Sequence, residues 1–486
     1  MKIFDNTVFD TKSFLGTLVA LLVITLLQMM SEGVAYACLV PFAFVAIARG
    51  RIEWMMFWLL SSMLLIVGNK FFLPKGPSFF IAQRVFFIFL GFSMLSRILG
   101  KRQSPMISPL LGMSFYVVYM SLTAIVGWNP TISYLKLFLF SIVYVACYGI
   151  ANMAGQDRNF NERDVRGIIL AISSYVIFGS LMLIPFPVIG QLSGDEYEEA
   201  VRAGRTVTSL FKGMTMHSQT LGPVIASIFA FLFSDLVVNV RKMNWLYIVL
   251  LLASPVLVYM TSSRTGMAAL LMAILMGGFC AVKMRGFGVL WRRKVKVWLG
   301  FLFVTTMIAV LILPNLRQAV TRFTLKYSYE TRAGDFTLEA AVSTRQGLMD
   351  RQLENFKKRP LIGNGFQVSE PMMRLKNASW KDLLSAPIEK GVWVTAVLEE
   401  GGVFGFIILV GFLLTAGVLM LKREVYTGLS VLSVMMVSNM AEFTMFSMSA
   451  MGGFAWTMVF LGTTMDVARI RHDRIMISRG ILFSPR

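Results

Sequence analysis

The sequence predicts an all-α, polytopic membrane protein with about fourteen transmembrane helices and one large, partly helical loop outside the membrane. Three observations lead there. Of 486 residues, 56% are hydrophobic and only 15% are charged, with a mean hydropathy of +0.69. A soluble domain carries about 25% charged residues, so this chain lacks the polar groups to cover a globular surface. Apolar runs of about 20 residues, the length that crosses a bilayer, recur throughout. The longest polar stretch is about 75 residues, roughly Asn315 to Glu389.

The runs fall at 13–30, 33–48, 54–69, 81–96, 108–127, 131–152, 167–189, 217–238, 244–261, 265–282, 297–314, 392–420, 426–445 and 449–467. Residues 1–314 then hold the first eleven helices, with an outside loop at 190–216. Residues 315–390 form the large external loop, 391–468 the last three helices, and 469–486 a basic cytoplasmic tail. Asp5, Asp10 and Lys12 precede the first run and no small-residue cleavage pattern follows it, so it reads as a retained helix. Cys38, Cys147 and Cys280 all lie in apolar runs and imply neither a disulfide framework nor a metal site. No Walker loop, dinucleotide fingerprint or zinc spacing is present.

Lysines and arginines set the expected orientation. With the N-terminus in the cytoplasm, the short inside loops carry Arg49 and Arg51; Arg97, Lys101 and Arg102; Arg158, Arg163 and Arg166; Arg241 and Lys242; Arg285, Arg292, Arg293, Lys294 and Lys296; and Lys422 and Arg423. Outside turns such as 30–32 and 128–130 carry none, although Lys70 and Lys75 lie in the outside turn 70–80. This bias is the positive-inside rule with both termini cytoplasmic. It explains part of the net charge of +20.

Two outside segments are basic as well. One holds Arg202, Arg205 and Lys212; the other, 315–390, holds thirteen basic residues including Arg345, Arg351, Arg359 and Lys390. Long loops translocate largely regardless of charge, so the orientation stands, and the charge points to an anion at the outer face. Within the large loop, Ser343 to Lys358 reads as an amphipathic helix. Ser343 is the expected N-cap, and Leu348, Leu353 and Phe356 form the apolar stripe. Arg359-Pro360 ends it, and Gly363-Asn364-Gly365 supplies a turn. Lys136 and Glu442 are intramembrane ionisable residues and hence functional candidates.

Arginine suits an anion because its guanidinium binds phosphate oxygens bidentately and stays charged. Arg264 stands at the expected start of a helix, where free N–H groups also favour an anion. Glu399 and Glu400 open the helix after the large loop, where carboxylates also stabilise the first turn.

Three stretches carry a resemblance: Thr261-Ser262-Ser263-Arg264-Thr265-Gly266; Thr344-Arg345 followed by Arg359-Pro360-Leu361-Ile362-Gly363-Asn364-Gly365-Phe366; and Leu398-Glu399-Glu400-Gly401-Gly402-Val403-Phe404-Gly405. A fourth is Gly213 to Gly222, with His217-Ser218-Gln219-Thr220-Leu221-Gly222. In this order they resemble the O-antigen ligase and polysaccharide polymerase superfamily of membrane proteins. The resemblance covers roughly residues 200 to 420.

It implies a GT-C-like, metal-independent glycosyltransferase with no cofactor, in the bacterial inner membrane, with its active site on the periplasmic or extracellular side. The partners it implies are an undecaprenyl-pyrophosphate-linked glycan, membrane lipid and other polysaccharide assembly proteins; nucleic acid is not among them. Arg264 and Arg345 are the expected catalytic cations, and Arg205, Arg351, Arg359, Lys390 and Glu400 the expected substrate contacts. Ligases of the family use a histidine near the end of the long loop, where this chain reads Ser385-Ala386-Pro387-Ile388-Glu389-Lys390-Gly391. That departure favours a polymerase over a ligase and leaves two candidates for the general base, Glu389 and His217. A ligase remains the alternative within the family. A flippase for lipid-linked oligosaccharides is the alternative of another class, for which internal repeats and broken helices at the midplane are the expected signs. A non-catalytic assembly protein is a third.

Overall fold

The computed structural model describes residues 8–69, 77–100, 107–156, 162–190, 211–238, 244–261, 263–285, 338–368, 392–440, 443–447 and 451–478. In chain order the helices are α1 (Thr11–Met30), α2 (Glu32–Arg49), α3 (Ile52–Ile66), α4 (Pro77–Gly100), α5 (Ile107–Val126), α6 (Pro130–Gln156) and α7 (Glu162–Met182). There follow the one-turn α8 (Pro187–Gly190), α9 (Ser218–Val238), α10 (Trp245–Met260), α11 (Arg264–Arg285), α12 (Leu338–Lys358), α13 (Trp393–Lys422), α14 (Tyr426–Asn439) and α15 (Met451–Ser478). Among the described residues, eight helices are long and apolar enough to cross a membrane, and α2, α3 and α10 contain shorter apolar helices. The chain is a helical, multi-pass membrane protein. The expected span at 297–314 lies outside the described residues.

Helix ends follow local chemistry. Asp10 caps α1 by accepting from Ser13 N at 2.7 Å. The expected span 426–445 stops at Asn439, because the Asn439 side-chain oxygen accepts from the amides of Thr444 and Met445, each at 2.7 Å, and closes a turn. Ser343 is not an N-cap: α12 already runs from Leu338, so Ser343 lies inside it.

Contacts sort the helix ends into two sets. At one end, Asp10 N at the start of α1 donates to Arg163 O beside α7 at 3.0 Å, and Arg97 near the end of α4 donates to Ile47 O of α2 at 3.3 Å. There too Arg469 of α15 donates to Glu424 O between α13 and α14 at 3.2 Å. Arg49, Arg51, Arg163, Lys422 and Arg423 are exposed around these contacts. At the opposite end, Met216 N donates to Val67 O after α3 at 2.7 Å, and Trp128 N between α5 and α6 donates to Asn364 O at 3.0 Å. The α13 start meets the α14 end through Trp393 Nε1 and Met440 Sδ at 3.1 Å. The α11 end meets the α14 start through Cys280 Sγ and Tyr426 O at 3.9 Å. Hence α11 and α13 begin at the same end, opposite the basic loops.

A buried ion pair lies near the basic end. Arg166 of α7 donates to Asp235 of α9 at 3.0 Å and to Glu162 at 3.0 Å, and Tyr247 of α10 donates to Asp235 at 2.7 Å. The Asp235 side chain is fully buried. Removing Asp235 leaves buried Arg166 with only the half-buried Glu162 among these partners and takes the acceptor from the Tyr247 hydroxyl; breaking a buried pair costs about 3–5 kcal/mol. Asp235→Ala is therefore expected to lower thermal stability in detergent sharply. The pair Arg166→Met with Asp235→Leu should recover part of the loss, the remainder reflecting the contacts that Glu162 and the Tyr247 hydroxyl lose, as a fluorescence melt of the three proteins would show.

Candidate functional site

The motifs singled out in the sequence meet in two contacts, both at the end opposite the basic loops. The first joins α9 to α11. Ser263 opens α11 as a cap: Gly266 N donates to its Oγ at 3.1 Å and Met267 N to its carbonyl at 3.0 Å. The two helices approach so closely that a methyl group on Gly266 would meet the Gly222 Cα, and one on Gly222 would meet the Ser263 side chain. This places His217, exposed just before α9, at the same end as Arg264, the first residue of α11. The His217 carbonyl accepts from Thr220 N at 3.0 Å and Leu221 N at 3.2 Å, starting α9.

The second contact is a backbone clasp between the turn after α12 and a break in α13. Pro360 cannot continue a helix, and the chain reverses through Gly363 at φ 71° and Gly365 at φ 108°. Facing it, Gly402 interrupts α13 with φ 63° and ψ −167°, a region essentially confined to glycine. The break frees carbonyls and amides that the turn then pairs. Asn364 N donates to Glu399 O at 2.9 Å and Gly365 N to Glu400 O at 3.0 Å; in return Val403 N donates to Pro360 O at 2.8 Å and Phe404 N to Leu361 O at 3.3 Å. Tyr119 of α5 donates its hydroxyl to Gly401 O at 2.8 Å. A broken helix is tolerated where the freed groups find protein partners, and this break lies nearer the start of α13 than its end, whereas the flippase alternative expects breaks at the midplane. Gly363 and Gly402 have no room for a side chain, since a methyl on either would strike the other strand's backbone.

Side chains fasten the clasp further. Asn355 of α12 donates to the Glu399 carboxylate at 2.8 Å, and Thr395 Oγ1 donates to Gln352 Oε1 at 2.5 Å, with Gln352, Asn355 and Glu399 all buried. Helix α12 thus docks on α13 through polar residues, while Leu348, Leu353 and Phe356, the expected apolar stripe, are only half-buried. Phe366 is fully buried and packs between Phe140, at 5.6 Å, and Phe446, at 5.2 Å between ring centres. Lys136 of α6 is buried and donates to Gln367 O at 3.2 Å, and Gln367 Nε2 donates to Phe446 O at 3.0 Å.

The predicted site residues divide accordingly. Arg351 is exposed on α12; Arg359 is half-buried, its guanidinium donating to Val126 O of α5. Glu400 is fully buried within electrostatic reach of Tyr116, so it faces the protein interior. Arg345 lies on α12 and Arg264 opens α11, but their side chains lie outside the described residues, as do Arg205, Glu389, Lys390 and Glu442 altogether. Sequence reasoning missed Tyr119, Gln352, Asn355 and Gln367. The available signal was the polar pair Gln352 and Asn355, one turn apart on a helix whose neighbours are apolar.

No protein-family model matches the chain, and no curated protein matches it.

Proposed function

We propose that this chain is a bacterial inner-membrane glycosyltransferase that polymerises undecaprenyl-pyrophosphate-linked oligosaccharides at the outer face of the membrane. The observation that carries this reading is the clasp. It seats an arginine-bearing helix on a broken membrane helix, at the same end as the turn where Arg264 opens α11, and opposite the basic loops that the positive-inside rule puts in the cytoplasm.

The chemistry asked of such a site is modest. A sugar on pyrophosphate already carries a good leaving group. The acceptor hydroxyl attacks the anomeric carbon, the carbon–oxygen bond to pyrophosphate breaks, and its electron pair leaves on the diphosphate. The acceptor proton passes to a base, Glu389 or His217. Arg264 and Arg345 hold the diphosphate and stabilise the charge that grows on it. Lys390, Arg351, Arg359 and Arg205 extend the cationic field toward the rest of the substrate. Glu400 is buried beside the clasp, to which its backbone carbonyl contributes.

The test uses purified protein in liposomes with a synthetic oligosaccharide repeat on polyprenyl pyrophosphate. The expected products are longer lipid-linked glycans and one free polyprenyl pyrophosphate per bond formed. Movement of the intact lipid-linked unit across the bilayer without diphosphate release would instead assign the protein to the flippases.

A further inference from the structure

The turn that closes α12 also presents an apolar surface that the transfer chemistry does not use. Leu361 is 57% and Ile362 39% exposed, although both sit in a well-paired turn. Their neighbours indicate what covers them. Leu361 O accepts from Phe404 N of α13 at 3.3 Å and lies 3.2 Å from the Tyr119 hydroxyl of α5, whose one proton is shared with Gly401 O, and the Arg359 guanidinium grips Val126 O at the end of α5.

Both supporting helices turn apolar stripes outward. On α13, Phe404, Ile407, Leu414 and Val418 are exposed at the spacing of one helix face; on α5, Phe115, Val118, Leu122 and Ile125 are. Both helices are apolar enough to cross a membrane, so these stripes face acyl chains. Leu361 and Ile362 stand where the two stripes end. Polar residues appear just beyond them: Lys357 and Lys358 are exposed, and Lys358 Nζ lies 5.8 Å from the centre of the Trp128 ring. Tryptophan with lysine is the signature of the headgroup level of a bilayer.

We propose that Leu361 and Ile362 are seated in the outer part of the phospholipid leaflet, with Lys357 and Lys358 at the headgroup phosphates, so that the clasp is a membrane-contact surface. A basic segment with an adjoining apolar face lies in the interface in this way. The argument is independent of the catalytic reading and is tested without activity.

The full chain carrying Cys38→Ser and Leu361→Cys is spin-labelled in vesicles of phosphatidylethanolamine and phosphatidylglycerol. Cys147 and Cys280 are buried and free. Collisions with oxygen should exceed those with a water-soluble nickel chelate several-fold, as at Ile407→Cys, with the order reversed at Lys357→Cys. Ile362→Cys provides the same readout if Leu361→Cys does not fold. Nickel access at 361 and 362 equal to that at 357 would overturn the proposal. So would protection from both reagents, which would mean that a protein covers the turn.

Discussion

Arg264→Ala and Arg345→Ala should each lower the rate of glycan transfer by about 10²–10³-fold, or about 2.7–4 kcal/mol of transition-state stabilisation, the usual effect of removing one preorganised donor from a developing anion. Arg264 opens α11, where the helix dipole favours an anion and Ser263 already caps the Gly266 amide, so its side chain adds a full charge at that end of the helix. Lysine at either position should restore only part of the rate, because a point charge cannot form the paired hydrogen bonds of guanidinium. Arg97→Ala is the control: that residue lies at the opposite end of the bundle, bound to Ile47 O, and its loss should leave the rate within about twofold, as expected for a site far from the chemistry. Initial rates of polyprenyl pyrophosphate release, compared at equal folded fraction, measure all of these. Full activity in folded Arg264→Ala and Arg345→Ala proteins would remove the phosphate site assigned to them.

The helical membrane fold was readable because hydropathy reports burial in lipid directly. A run such as 392–420 is apolar over most of its length and reads as a span without any knowledge of its neighbours. The interruption at Gly402 was not readable in the same way. The sequence around it, Glu399-Glu400-Gly401-Gly402, reads equally as an acidic helix start. Only the return of the 359–365 turn onto the same carbonyls shows that the helix is already under way and is broken there. Long-range pairing of this kind leaves no local period. The motif stretches marked both halves of the clasp without revealing that they bind one another. Asp235 carried a more accessible signal, a lone acid within the apolar run 219–238, which by the cost of burying charge should prompt a search for its cation. From sequence alone Arg166 reads as a loop charge, and only the packing of α7 on α9 shows it buried against Asp235.

Gly402→Ala should open the clasp. At φ 63° and ψ −167° an alanine is strained by about 1–3 kcal/mol, and its methyl group would also strike the Leu361 carbonyl. Relief requires either a regular helix through residue 402 or withdrawal of the turn. Both forfeit the hydrogen bonds from Val403 N and Phe404 N to Pro360 O and Leu361 O, each worth about 0.5–1.5 kcal/mol net. The combined effect is about 2–6 kcal/mol on docking of the turn. Two readouts follow. Trypsin should cut at Lys357 and Lys358 faster than in the parent protein, because α12 would lose the anchor at its C-terminal end while Asn355 on Glu399 and Gln352 on Thr395 still hold its middle. Transfer activity should fall with it, because α12 carries Arg345. Gly363→Ala breaks the same contact from the other side, where its methyl group would strike the Glu400 carbonyl. The two substitutions share one interaction, so their effects should not add, and the double variant should be cleaved little faster than either single one. Additive effects, or a Gly402→Ala protein with unchanged cleavage, would mean that the two glycines serve separate local needs and that the turn is not held by the break in α13.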